Sequence, residues 1–208
     1  SVEKNLRKKK WSIFLENNYL IEFKNGREIF RFKITDYKDF QNKFDFENLF
    51  VSYSICRILK ISPDIIVKNL GNFSGLKHRN QYLGSLKGIR FVNDSKATNF
   101  SSAIKSIYSN KNIRLILGGK SKSENILDFV NSFKNIEKIY LIGSSSFEFS
   151  QYLSNYSYEI CKNLKKATTL SFKESKKGDT ILLAPGCSSY DQFKNFEERG
   201  DEFIKIFK

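Results

Sequence analysis

The 208-residue sequence has no methionine, one histidine, three cysteines and no long apolar run, and each shortage narrows what the chain can be. With no methionine and a first residue of Ser1, the chain is expected to be a piece of a longer protein. His78 stands alone, so no histidine relay and no multi-histidine metal site can be built from this sequence. Cys56, Cys161 and Cys187 are odd in number and lack CxxC spacing, which argues against a disulfide framework or a zinc site and for a reducing, cytoplasmic setting. No stretch reaches the roughly 18 apolar residues of a membrane span. The opening SVEKNLRKKKWSIF has neither the apolar centre nor the cleavage site of a signal peptide. Internal repeats and low-complexity tracts are not visible.

What is present suits a globular chain: 40% apolar and 15% aromatic residues can build a buried core. The net charge of +14, from 36 Lys and Arg against 22 Asp and Glu, admits nucleic acid, an anionic membrane surface or small anionic substrates as partners. The lysines are spread over the whole chain, however, and the richness in Lys, Asn, Phe and Ile reads as drift toward A/T-rich codons. Local clusters occur only at Arg7 to Lys10 and at Lys176-Lys177, both read as solvated faces. A basic nucleic-acid-binding module is an alternative of a different class. Against it, no RNP-like aromatic strand or helix-turn-helix signature is found.

Along the chain, residues 12 to 34 read as a β-hairpin, Tyr19 to Phe23 and Glu28 to Phe32, with Asn25-Gly26 supplying the positive-φ turn. Leu49, Ser52, Tyr53 and Cys56 recur at helical spacing between Phe46 and Leu59, and Ser62-Pro63 opens a second helix. Gly71 and Gly75 precede a domain boundary, placed between residues 1–76 and 77–208. Beyond it, five short apolar runs of strand length (88–93, 114–117, 138–142, 158–161 and 180–184) alternate with helical segments. Phe100, Ala103, Ile104, Ile107 and Tyr108 form one helical stripe. Ile126, Val130 and Phe133 form another, after a Ser121/Glu124 capping box. The last helix buries Phe203 and Phe207, with Gly200 costing it about 1 kcal/mol relative to alanine. This alternation predicts an α/β fold: a Rossmann-like, mostly parallel sheet with helices on both faces.

Ligands of such sheets sit beyond the carboxyl ends of the strands. Hydroxyls, amides and ammonium groups cluster at three of those ends: Asn93, Asp94, Ser95, Lys96 and Thr98; Gly118 to Lys122; and Cys187 to Asp191. Singly these read as helix caps, but together they point to an anion site. Gly119-Lys120-Ser121 resembles a phosphate loop but fails the motif, because Arg114 stands where its first glycine is required. Lys120 or Lys122 can still meet an anion as a point charge. His78 reads as structural, Arg79 as the better phosphate ligand, and Cys187 has no base nearby to make it a nucleophile.

GLKHR (Gly75 to Arg79), NDSKATN (Asn93 to Asn99), LILGGKSK (Leu115 to Lys122) and APGCSSYDQFKNFEERGDEF (Ala184 to Phe203) resemble, in order and spacing, the C-terminal half of the D-glutamate-adding branch of the Mur ligase family. The resemblance runs from about Phe46 onward. It implies that residues 1–76 end a central ATP-binding domain and that 77–208 form a C-terminal amino-acid-binding domain. It also implies the reaction: ATP phosphorylates the carboxylate of UDP-N-acetylmuramoyl-L-alanine, the amine of D-glutamate attacks the acyl phosphate, and ADP and phosphate leave. Thr98, Lys122, Ser189 and the backbone at Phe196 match positions that hold D-glutamate. Asn48, Arg79 and Asp94 match positions that contact ATP, with Lys96 beside them. No catalytic residue and no metal ligand is matched within the chain, the phosphate loop and most of the Mg2+ ligands lying outside it. The whole enzyme is then a cytoplasmic monomer of cell-wall precursor synthesis, and this piece alone is inactive. Departures from the family pattern fall at Phe44, Asp45 and Gln81. The alternative of the same class is a ligase of this superfamily or of the folylpolyglutamate synthetase type that adds a different amino acid.

Overall fold

The computed structural model describes residues 5, 7–34, 43–73 (backbone alone over 43–46), 75–122 and 125–208. Contacts divide it into two units, Ser1–Gly75 and Leu76–Lys208.

In the first unit, β1 (Trp11–Glu16), β2 (Tyr19–Lys24) and β3 (Arg27–Lys33) form an antiparallel meander in that order. The expected hairpin is therefore β2–β3, turned at Asn25 and Gly26 with φ of 51° and 77°. A further strand precedes it, joined by a second left-handed pair, Asn17 and Asn18 at 49° and 65°. Helix α1 (Lys43–Ile58) and helix α2 (Pro63–Leu70) follow, α2 opening on Pro63 after Ser62, whose side chain makes no capping bond. Leu49 and Tyr53 of α1 join Leu20, Phe32, Ile34 and Ile66 in the core, whereas Ser52 is exposed. Glu22 on β2 is fully buried and accepts from Trp11 Nε1 (2.8 Å), Tyr53 Oη (2.7 Å) and Arg57 Nε (2.8 Å), tying α1 to the sheet. Burial alone would raise its carboxyl, but the bonds from Arg57, Trp11 and Tyr53 outweigh it and hold the pKa below the usual range.

In the second unit, a six-stranded sheet has the order β4-β5-β9-β6-β7-β8. Its strands are β4 (Gln81–Leu86), β5 (Ile89–Asn93), β6 (Ile113–Gly118), β7 (Ile136–Ile142), β8 (Tyr158–Lys162) and β9 (Thr180–Leu183). All neighbours run parallel except β4, an antiparallel edge strand that the apolar pattern did not predict. Helices α3 (Phe100–Tyr108), α4 (Ile126–Asn131) and α5 (Ser146–Ser150) contribute to one apolar cluster, and α6 (Leu164–Glu174) and α7 (Phe196–Phe207) to another. The two clusters take alternate residues of the central strands: Leu115 and Leu117 in the first, Ile116 in the second. The sheet is thus covered on both faces, as parallel sheets must be.

Two expected details change. Tyr108 leaves the α3 stripe: it is 46% exposed and its hydroxyl donates to the Ser132 carbonyl. Helix α4 starts on Asn125, whose side chain accepts from Asp128 N; of the expected Ser121/Glu124 box, Glu124 lies outside the described residues.

Candidate functional site

Parallel strands deliver their carboxyl ends to one rim, and hydrogen bonds join the loops that leave it. At the end of β5 the Asp94 N–H donates to the Leu183 carbonyl of β9 (2.8 Å), and the Ala97 carbonyl accepts from Gly186 N (2.9 Å). The loops after β6 and β9 form a two-residue antiparallel ladder, with Lys120 N donating to the Ser188 carbonyl (2.9 Å) and Ser188 N to the Lys120 carbonyl (3.1 Å). The close approach needs Gly119, where a Cβ would lie 2.3 Å from the Ser188 carbonyl oxygen at a φ of 136°. The end of β7, which the sequence did not flag, joins too: Asp191 Oδ2 accepts from Ser144 N (2.8 Å), and the Gly119 carbonyl accepts from Ser145 N (3.0 Å).

Beneath this rim lies Arg199, on α7 and 1% exposed. Its Nε donates to Ser95 Oγ (3.0 Å) and its Nη2 to the Ser95 carbonyl (2.9 Å), while Nη1 and Nη2 both reach the Cys187 carbonyl (3.2 and 3.1 Å). Burial pushes its pKa down to about 10, partly offset by Cys187 and Asp191. Among the described residues it has no carboxylate ion pair. The sequence reading missed it, because an arginine within FEERGDEF looks like part of a solvated helix face.

A second brace starts at His78, buried at a φ of 63°. The Asn93 amide nitrogen contacts His78 Nδ1 (3.1 Å) and donates to the Gly200 carbonyl (3.0 Å), while Asn93 Oδ1 accepts from Ser95 N (3.1 Å). His78 and Asn93 therefore tie the end of β5 to the backbone of α7. The His78 carbonyl accepts from Lys96 N (3.0 Å), and Gln81 Oε1 accepts from His78 N (3.0 Å). His78 Nε2 makes no hydrogen bond; Asp201 Oδ1, itself paired with Lys77, stands 3.6 Å away. Burial lowers the imidazole pKa, with Lys77 adding to that and Asp201 and Glu197 opposing it.

Of the expected amino-acid-binding residues, Thr98 is half-buried just past the Ala97–Gly186 link, and Ser189 is buried just past the Lys120–Ser188 ladder. Lys122 is exposed two residues beyond that ladder. The ring of Phe196, the first residue of α7, carries the Lys96 ammonium 3.9 Å from its centroid, and its carbonyl accepts from Ser95 Oγ (2.8 Å). The structure thus puts Thr98, Lys122 and Ser189 on loops of one rim. Asp94, also buried, has its pKa pushed up to about 6 by burial, against the Asn80 N–H, the Ser106 hydroxyl and the charge of Arg79. Arg79 is exposed in the turn before β4. Asn48 is exposed on α1 and belongs to the other unit; the side chains of Phe44 and Asp45 lie outside the described residues. Cys187 is buried, with Ser145 Oγ 3.8 Å from its sulfur. Among the described residues no group of three or more His, Cys, Asp and Glu side chains is gathered closely enough to hold a metal ion. A groove of about 770 Å3 between α6, α7 and Gln192-Phe193 is lined by none of the candidate residues.

Residues 78–187 match the family model described as Mur ligase, glutamate ligase domain. The chain belongs to the Mur ligase family. It is 45% identical over 166 residues to the UDP-N-acetylmuramoylalanine–D-glutamate ligase of Wolbachia sp. subsp. Brugia malayi, an alignment covering 78% of this chain and 33% of that protein. It is 35% identical over 198 residues to the ligase of the same name from Cereibacter sphaeroides, covering 95% of this chain and 43% of that one. The chain therefore spans well under half the length of these Mur ligases. Solved structures share the fold. The UDP-N-acetylmuramate-alanine ligase of Thermotoga maritima has a TM-score of 0.67 at 11% identity, covering 95% of this chain and 46% of its own. A bifunctional folylpolyglutamate synthase/dihydrofolate synthase of Yersinia pestis, complexed with AMPPNP and a Mn ion, gives 0.63 at 11% identity, with 96% and 46% covered.

Proposed function

We propose that the chain is the amino-acid-binding part of an ATP-dependent ligase that adds D-glutamate to UDP-N-acetylmuramoyl-L-alanine during cytoplasmic peptidoglycan precursor synthesis. In this reading ATP transfers its terminal phosphoryl group to the alanyl carboxylate and leaves as ADP. The D-glutamate amine then attacks the acyl phosphate, expels phosphate and loses a proton as the amide forms. Residues 1–76 complete an ATP-binding domain, and residues 77–208 receive the amino acid.

One observation carries the reading: loops from separate strand ends, stitched by the Lys120–Ser188 ladder and by Arg199, bring Thr98, Lys122 and Ser189 to a single rim. D-glutamate brings two carboxylates. The Lys122 ammonium, the Thr98 and Ser189 hydroxyls and the backbone at Phe196 are donors of the kind that hold them. On the nucleotide side, Asp94 is a buried carboxylate that feels the charge of Arg79 and has Lys96 two residues on, chemistry suited to ribose hydroxyls and phosphates. ATP supplies the phosphoryl group when bound. Mg2+ would be held mostly by ligands elsewhere in the ligase and would neutralise charge on the phosphates.

The ligase polypeptide carrying this chain should release phosphate only when ATP, UDP-N-acetylmuramoyl-L-alanine and D-glutamate are all present. Equal turnover with L-lysine or meso-diaminopimelate would move the assignment to a sister ligase. Lys122→Ala should raise the D-glutamate requirement by an amount worth about 1.5 to 3 kcal/mol, that of a hydrogen bond to a charged group. An unchanged requirement removes Lys122 from the site.

A further inference from the structure

We propose that Arg199 is a positioning residue for the amino-acid half of this site, an inference that rests on the D-glutamate reading. A buried guanidinium without a carboxylate partner is costly, and helix α7 could be packed against the sheet by an apolar side chain of similar volume. What an apolar side chain cannot do is donate to two loops at once. Arg199 grips Ser95 by its hydroxyl and its carbonyl, and Cys187 by its carbonyl through both terminal nitrogens. Ser95 lies three residues before Thr98, and Cys187 lies two residues before Ser189. The planar fork therefore sets the distance between the two hydroxyl-bearing loops, so that both meet one ligand at once.

Asp94, the nucleotide-side residue of the same loop, has its own anchors: its N–H bonds to Leu183, and the Asn80 N–H and Ser106 hydroxyl face its carboxylate. Loosening the Arg199 brace should therefore fall on amino-acid binding and largely spare ATP. Asp191, whose charge also reaches Arg199, is engaged by Ser144 N and does not replace the brace.

The test compares Arg199→Met and Arg199→Lys with wild type in the ligase carrying this chain, measuring KM for D-glutamate and for ATP together with kcat. Arg199→Met should raise the D-glutamate KM at least fivefold while the ATP KM moves less than threefold. Arg199→Lys keeps the charge and part of the bonding, and should fall between the two. A smaller rise in the D-glutamate KM, or an equal rise for both substrates, overturns the proposal. Should Arg199→Met fail to fold, Arg199→Lys carries the test, because it keeps a buried cation and loses the planar fork that reaches both loops. A rise of at least threefold in the D-glutamate KM is then expected, and a smaller one overturns the proposal. A wild-type ligase that releases phosphate without D-glutamate would sink the functional reading instead, before any variant is compared.

Discussion

At Gly200 a Cβ would lie 2.2 Å from His78 Nδ1 and 2.7 Å from Cε1, so the imidazole rests directly on the backbone of α7. The helix accepts a poor helix former because only glycine lets the ring in. Gly200→Ala gains about 1 kcal/mol of helix propensity but overpacks a buried ring, typically worth 1 to 3 kcal/mol. Since the ring is held by Asn93 and cannot retreat, the thermal midpoint should fall; a rise would show that His78 yields. Asp94 gives a prediction with a definite sign. Folded, it keeps its proton up to about 6, whereas the unfolded side chain releases it near its ordinary 3.8. Stability from this group is therefore complete below 3.8 and lost as pH rises through about 6, a change of about 3 kcal/mol at 1.36 kcal/mol per pKa unit. His78, whose pKa is lowered from its ordinary 6.5, has the opposite sign: the unfolded chain takes up the proton first, so acidification below 6.5 costs stability. Comparing Asp94→Asn with wild type isolates the carboxyl. The variant should gain about 3 kcal/mol on wild type between about pH 3.5 and about pH 7 in denaturant titrations. A pH-independent difference would show that Asp94 is not held in its neutral form by the fold.

Helices α3, α4, α6 and α7 each begin on an asparagine, Asn99, Asn125, Asn163 and Asn195, whose side chain accepts from the N–H three residues on. These caps satisfy donors that would otherwise be orphaned where the strands hand over to helices. Asn163→Ala should cost about 1 kcal/mol in chemical unfolding, and a loss under about 0.3 kcal/mol would mean water serves the α6 terminus as well. The five parallel strands and the helices between them were legible because their apolar runs are continuous or at helical spacing. Two strands were not. In β1 the side chains invert the usual order: Ser12 is buried while Trp11 and Leu15 are exposed, so the alternation carries no hydropathy signal. In β4, QYLGSL lies at the sheet edge with no fully buried residue and a register shift between Tyr82 and Gly84, where Phe207 packs on the glycine. The candidate rim was visible as polar residues at strand ends. Arg199 and the Gly143–Ser145 turn were not, because their roles come from contacts with loops remote in sequence.

Both apolar clusters of the sheet domain are drawn wholly from residues beyond Leu76, so this unit carries its own core. Residues 76–208 expressed alone should therefore unfold in one cooperative thermal transition. A gradual loss of signal would show that the preceding unit is needed for its packing. The strand order adds a constraint of timing. Strand β9, close to the end of the chain, sits between β5 and β6, which meet only through it. During synthesis the two halves of the sheet must wait, each with an open flank of unpaired amides and carbonyls, until Thr180–Leu183 arrives to close the gap. A chain cut before Thr180 would therefore yield two sticky half-sheets rather than a shorter working domain.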